Sequence, residues 1–421
     1  MKIVVFNVKY SENLGDGILA ECLESELARQ GDDIAVTTID LAGRKDYGHT
    51  HGGRGLGIAV LKRLPAFARR WAVSAILGPK LARLQPEWQR QIAAADAVVI
   101  GGGNLMQDDD LNFPLKVGMV LDCLKTSRTP VVIHAVGVSG HWSGQARALF
   151  GRLAKTNVAA VSVRDDIAAR NWARHFPDGP AATVLPDPGL LARDLVAAAP
   201  RRDGQAPVVG LCVTAPVILV RHADIAASAI PLTTPHGYRD LALGLLAKGY
   251  QVRLFCNGAR EDQAFAEEIV ADAALAESLA DGRLRLLDRP LVPADVMGIL
   301  ETFSAIVAHR LHACIAAYSL GVPAVGLGWD QKVAGFFRSV GRADFYLDGS
   351  GYSVPHAIAL VDRAVREGIE PDRHAATLQA ARSAVAAILS ALGRPHRADP
   401  ASPQAAAQLG AQSKPAISEV I

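Results

Sequence analysis

Short runs of consecutive apolar residues alternate with stretches of helical periodicity along most of the chain. In the first half the runs are Ile3 to Phe6, Ile34 to Thr38, Ala97 to Ile100, Val131 to Ala135 and Val158 to Val163. A second series comprises Val208 to Val213, Gln251 to Cys256, Leu284 to Leu287, Ala305 to Ala308 and Ala324 to Leu327, with helical patterns near 237–248, 261–273, 294–301, 311–319 and 331–338. Strand and helix in strict alternation predict parallel α/β architecture with crossover helices. Between the two series, from Ala181 to Gly210, Pro186, Pro188, Pro200, Gly204 and Pro207 read as turns and a linker. The expected fold is therefore two tandem Rossmann-like domains, residues 1–200 and 205–350, facing each other across a cleft. An Ala-rich helical region, 351–392, follows, and the Pro-, Ala-, Gln- and Ser-rich stretch 393–421 reads as a disordered tail.

Composition narrows the partners. Of 421 residues half are hydrophobic, and 44 basic against 42 acidic residues leave a formal charge of +2, so nucleic acid is not an expected partner. No apolar run reaches the length of a membrane span, and the N-terminus reads as a strand rather than a signal peptide. Five scattered cysteines, Cys22, Cys123, Cys212, Cys256 and Cys314, contain no CxxC pair and sit mostly in apolar stretches, which points to a reducing, cytoplasmic setting. The neutral total hides one local excess. Between Arg44 and Arg90 ten basic residues face only Asp46 and Glu87, a segment charge of +8. From Leu56 to Leu84 these charges mix with Leu, Ile, Val, Phe67 and Trp71, the pattern either of a solvated helical insertion interrupted by Pro65 or of an amphipathic surface making peripheral contact with an anionic membrane through residues 50–84.

Ligands of open parallel sheets bind beyond the carboxyl ends of the strands, so the loops there are the candidates for chemistry. The first loop ends in Asn13-Leu14-Gly15-Asp16 and opens a helix whose free N–H groups suit an anion or a sugar hydroxyl. Gly15-x-Gly17-x-x-Ala20, with Asp40 to hold a ribose, formally matches a dinucleotide fingerprint, but eight residues separate Phe6 from Gly15 where the fingerprint has a tight turn. The third strand ends in Gly101-Gly102-Gly103-Asn104, a backbone nest for phosphate or carboxylate if its N–H groups are unpaired. Asp108-Asp109-Asp110 has the spacing of a metal-diphosphate site but reads better as a solvated helix start, so no metal is expected. Arg164 follows the fifth strand, where it can hold an anion bidentately or pair with Asp165 or Asp166. The richest segment is His309-Arg310-Leu311-His312, followed by Lys332 at a later helix start: two cations for a small, multiply charged anion and a histidine that can move protons on it.

In order along the chain stand Asn13-Leu14-Gly15-Asp16, Gly101-Gly102-Gly103, Arg164-Asp165, Asp187-Pro188, Arg310-Leu311-His312, Gly321-Val322-Pro323 and Lys332-Val333. Over about residues 3–340 this series resembles the polysaccharide pyruvyl transferase family. The resemblance implies a GT-B-like pair of domains and transfer of the pyruvyl group of phosphoenolpyruvate onto two hydroxyls of a sugar, forming a cyclic ketal, with no cofactor. The acceptor it implies is a polysaccharide or its lipid-linked precursor. The arginine and histidine of the family's Arg-Leu-His motif map to Arg310 and His312, with Arg164 of the first domain and Lys332 as further donor-binding candidates. The C-terminal domain is the expected donor side and the N-terminal domain the acceptor side, and His312 is the candidate acid or base. Asp16 is a candidate to orient or deprotonate a sugar hydroxyl. The basic insertion and the tail lie outside the shared pattern. Two other classes fit the same architecture: a nucleotide-sugar glycosyltransferase, whose retaining members often carry two glutamates eight positions apart that this chain lacks, and a non-catalytic assembly or regulatory protein.

Overall fold

A computed structural model describes residues 1–48, 65–197, 206–223 and 225–394. They form two six-stranded parallel sheets with flanking helices. The first contains β1 (Lys2–Asn7), β2 (Ala35–Asp40), β3 (Ala97–Gly101), β4 (Val131–Val136), β5 (Val158–Val163) and β6 (Thr183–Val184) in the order β2-β1-β3-β4-β5-β6. Its helices are α1 (Leu14–Arg29), α2 (Ala66–Ala93), α3 (Asn112–Leu124), α4 (Gly144–Phe150) and α5 (Asp166–His175). The second sheet has the order β12-β11-β10-β7-β8-β9, built from β7 (Val208–Cys212), β8 (Gln251–Phe255), β9 (Leu284–Leu286), β10 (Ala305–Ala308), β11 (Ala324–Leu327) and β12 (Tyr346–Leu347). Around it run α6 (Pro216–His222), α7 (Pro235–Ala247), α8 (Arg260–Val270), α9 (Ala276–Ala280), α10 (Pro293–Glu301), α11 (Leu311–Ser319) and α12 (Gln331–Ser339). Two helices, α13 (Val354–Glu367) and α14 (Pro371–Ala391), close the described chain.

Central strands are buried on both faces, which is why they read as unbroken apolar runs. Ile3, Val4, Val5 and Phe6 of β1 are essentially inaccessible, and Val5 stands in register with Val99 of β3 on one side and Thr38 of β2 on the other. One face of the first sheet, with Ile3, Val5, Val99 and Val132, shares a continuous core with the second sheet through α1, α11 and α14. The other face has its own core around Trp88, Trp172 and Phe150. All five cysteines are buried and free.

The stretch expected to be a linker is not one up to residue 195. Thr183–Val184 pairs with β5 as an edge strand, and Pro188–Leu195 winds as a 3₁₀ helix with Leu190, Leu191 and Ala192 buried against α1, α11 and α14. Asp187 caps this helix by accepting from the Gly189 N–H, with Pro188 just inside it, an arrangement proline favours because its missing N–H would be unsatisfied there. Arg29 and Arg382 both reach Asp194, tying α1 and α14 to the same segment. Within the basic insertion, Pro65 precedes α2 rather than interrupting it, and Pro79 and Pro86 lie inside the helix. Residues 49–64 of that insertion, and the tail from 395, lie outside the described residues.

Candidate active site

The carboxyl ends of the two sheets face each other, and α1 and α11 begin at this junction. Gly15, in the first turn of α1, is what allows them to meet. A Cβ on Gly15 would lie 2.4 Å from His312 Cβ and 2.9 Å from Asn257 Nδ2, so any side chain there collides with the opposite half. Polar pairing reinforces the contact: Asn257, just after β8, donates through Nδ2 to Asn13 Oδ1 at 2.8 Å, and its carbonyl accepts from the Leu14 N–H at 2.9 Å.

His312 sits between two carboxylates. Its Nδ1 is 3.5 Å from Asp16 Oδ1 and its Nε2 is 3.8 Å from Asp187 Oδ2. Asp16 in turn accepts from Asn13 Nδ2 at 3.3 Å. Among the described residues, neither His312 Nε2 nor Asp187 Oδ2 has a hydrogen-bond partner, although both atoms are buried. A buried polar atom left unpaired in the protein costs stability, so such a pair marks a place that a ligand or water can satisfy.

Three cations complete the arrangement. Arg310 is anchored by Asp262 of α8, a fully buried carboxylate whose Oδ2 accepts from both Nε and Nη2 while Oδ1 accepts from the Ala215 N–H. Arg164 has a side chain only 8% exposed, contacts Asp165 at 3.3 Å, and lies with Asn104 over Gly137, where a Cβ would fall 2.6 Å from its Nη2 and 2.4 Å from Asn104 Oδ1. Lys332 Nζ is 2.5 Å from Asp330 Oδ2 and 4.5 Å from the centre of the Trp329 ring.

Burial and charge then set the protonation states. Burial first, and next the fields of Arg164, Lys332 and Arg310, push the His312 imidazole down to about 3. Burial pushes the Asp187 carboxyl up to about 6, with Asp16 and Asp165 adding to the rise against the Gly189 N–H and Arg164. Asp16 is likewise raised, mainly by burial. Burial lowers Lys332, with Asp330 opposing it. A desolvated site thus holds a neutral imidazole between two carboxyls that are unusually ready to carry a proton.

The structure brings Asn13, Gly15, Asp16 and His312 into one place, with Arg164, Arg310 and Lys332 close enough for their charges to act on His312. It alters other expectations. The Gly102 N–H is not free for an anion: it donates to the His134 carbonyl at 2.9 Å, continuing the β3–β4 pairing. Gly102 is required instead by its φ of +77° and by Leu19, whose Cδ2 would be 1.8 Å from a Cβ. Gly101 packs against His134 and Leu23, while Gly103, also at positive φ, accepts through its carbonyl from the Gly137 N–H. Asp40 does not await a ribose; its two oxygens take Arg44 and the Tyr10 N–H. Asp108 receives the N–H groups of Leu111 and Ser143, and Asp110 is held by Arg69, so this acidic run organises a loop. Asp187, Asp262 and Asn257 were not among the site residues expected from the sequence. The Asp-Pro-Gly cap at 187–189 was the one local signal available for them.

Two parallel α/β units meeting at their carboxyl edges, with the polar residues gathered there, define a GT-B fold. Solved structures agree. The chain superposes on OtsA with a TM-score of 0.55 at 11% identity, covering 94% of this chain and 100% of that one. A protein described as a UDP-N-acetylglucosamine 2-epimerase from Listeria monocytogenes gives 0.54 at 12%, covering 94% and 98%. The UDP-bound MnaA of S. aureus gives 0.50 at 11%, covering 94% and 99%. At such identities the likeness concerns the fold alone. No curated protein sequence matches the chain. The family model of polysaccharide pyruvyl transferase matches residues 13–331, and the chain belongs to that family.

Proposed function

We propose that the protein transfers the pyruvyl group of phosphoenolpyruvate to two hydroxyls of one sugar, in a polysaccharide or its lipid-linked precursor, giving a cyclic ketal and inorganic phosphate. The observation that carries this reading is the row Asp16–His312–Asp187 beside Arg164, Arg310 and Lys332. Phosphoenolpyruvate places a phosphate and a carboxylate close together, and three fixed cations match that charge. The proton inventory matches as well. Each sugar hydroxyl gives up one proton; one proton ends on C3 of the donor and the other leaves with phosphate. In sequence, C3 is protonated, the first hydroxyl adds to the cationic C2, the C2–O bond to phosphate breaks, and the second hydroxyl closes the ring.

His312 has a clear place in that inventory. Without donor it is neutral because burial and three cations oppose its charge. A bound polyanion cancels the field of those cations, so His312 becomes a competent proton carrier only when the donor is present. Asp16 and Asp187, on either side, can each exchange a proton with a hydroxyl or with the imidazole, and the three titrate as one coupled set. On this reading the acceptor lies against the loops of the first sheet, with Asn13, Asp16 and Asn104, and the donor against Arg164, Arg310 and Lys332. The reading is tested by His312→Ala, which should abolish transfer while the protein is still stabilised against heat by phosphoenolpyruvate. Turnover near the wild-type rate would remove His312 from the mechanism.

A further inference from the structure

The first half of α2 has no part in the site, yet it carries the two most exposed large hydrophobic side chains among the described residues: Phe67 is 76% and Trp71 is 74% exposed. Their spacing is informative. Positions 67, 71, 74, 78, 81, 85, 88 and 92 follow one another in steps of four and three, which places them on a single stripe of the helix. Leu81, Trp88 and Ile92 on that stripe are buried in the core of the first sheet. The same face that is covered at its C-terminal end is therefore bare at Phe67 and Trp71.

The cause is length. At about 1.5 Å per residue the 28-residue helix is about 42 Å long, whereas five-residue β3 spans about 17 Å. Because α2 leads into the start of β3, its surplus length lies at the opposite, carboxyl edge of the sheet. There Arg69 pairs with Asp110, in the loop that follows β3. Phe67 and Trp71 thus stand on the rim that also carries Asp16. Ile76, 64% exposed, adds apolar surface elsewhere on the same half-helix.

Charge identifies the occupant. From Ala66 to Arg83 the helix carries Arg69, Arg70, Lys80 and Arg83 and no acid, Arg69 being held by Asp110, whereas Arg90 at the covered end pairs with Glu87. Exposed aromatics within a basic segment suit the interface of an anionic bilayer, where the rings enter the headgroup region and the cations meet lipid phosphates. Among the described residues no helix is long and apolar enough to cross a membrane, so the contact is peripheral. We infer that the projecting half of α2 docks the protein on an anionic phospholipid surface through Phe67 and Trp71, with the rim of the cleft turned toward the membrane. This orientation presents the site to a glycan carried on a lipid, and it stands whether or not the transfer chemistry above is correct.

Flotation of the full-length protein with phosphatidylcholine vesicles, with and without phosphatidylglycerol, tests the inference. The wild type should float with the anionic vesicles, about tenfold less with neutral ones, and less again as salt is raised. Phe67→Ser with Trp71→Ser should lower anionic-vesicle binding about tenfold or more, with an unchanged melting temperature because both side chains are already exposed. Trp71→Phe should retain binding. Failure of the wild type to bind anionic vesicles would overturn the proposal, as would full binding by the double variant. Self-association in sedimentation that vanishes in the double variant, without vesicle binding, would assign the face to a second copy and overturn it equally.

Discussion

Gly15→Ala offers a sharp test of the site's geometry, because the change is one methyl group at the contact between the two halves. Within α1 the substitution favours the helix by up to about 1 kcal/mol. Across the contact, the new Cβ would be 2.4 Å from His312 Cβ, next to the backbone of α11, where no rotamer change can relieve it. Ordinary carbon–carbon contact needs about 3.5–4.0 Å, so His312 and the first turn of α1 must part by more than about 1 Å. That lengthens the 3.5 Å approach of His312 to Asp16 and strains the Asn257–Asn13 hydrogen bond at 2.8 Å. Overpacking of this kind costs about 1–3 kcal/mol, offset in part by the helical gain, so the protein should stay folded. A displacement of about 1 Å among reacting groups costs about a hundredfold in rate. The assay is phosphate release from phosphoenolpyruvate in the presence of acceptor, alongside thermal melting. Gly78→Ala is the control: beyond the backbone of its own helix and its chain neighbours nothing lies within 4 Å of its new Cβ, so activity should be unchanged. Gly15→Ala turning over within about threefold of wild type would refute the claim that His312 must sit against this turn to act.

Other predictions follow from the same geometry. Asp262→Ala leaves Arg310 as a buried, unpaired cation and should destabilise the protein by about 3–5 kcal/mol in chemical denaturation, and weaken stabilisation by phosphoenolpyruvate. Donor binding should take up protons near neutral pH, because a polyanion raises His312 from about 3 toward its ordinary range; calorimetry in buffers of different ionisation enthalpy measures this, and His312→Asn should remove it. For Asp187, whose folded value near 6 lies above the ordinary 3.8, the ionised form is disfavoured in the fold, so it costs stability as pH rises between those values. If Asp187 must be ionised to accept a proton, activity should rise through about pH 6, and Asp187→Asn should abolish that limb of the profile while keeping the fold.

How much of this is legible in the sequence depends on what each residue's neighbours are. Strands such as Ala305–Ala308 and helices such as Leu311–Ser319 are readable to the residue, since a strand buried on both faces is an unbroken apolar run. The two-residue β6 and β12 carry too little pattern to be seen, and the prolines around Asp187 imitate a linker. Asp16, Arg164 and His312, in the loops and first helical turns that follow strands, can be named as candidates from the sequence because the fold class says where to look, and the structure places Asp16 beside His312. Asp262 cannot, since Glu261-Asp262 reads as an ordinary acidic first turn, and only the fold, which brings Arg310 and the Ala215 N–H to this turn of α8, reveals that one of the two is inaccessible and holds Arg310. Gly15 was legible as a loop glycine but not as the point of contact, because its reason lies almost three hundred residues away in His312.

The most direct test of the central claim is incubation of the protein with phosphoenolpyruvate and candidate glycans, lipid-linked ones included, followed by phosphate release and product mass. The account predicts phosphate release that depends on acceptor, and a product heavier than the acceptor by pyruvic acid less one water, as a ketal bridging two hydroxyls requires. Stabilisation by phosphoenolpyruvate should accompany it, about 2.7 kcal/mol at a hundred times the dissociation constant. A chain that is stabilised only by nucleotide sugars, and that releases no phosphate from phosphoenolpyruvate with any glycan while transferring a sugar instead, would contradict it.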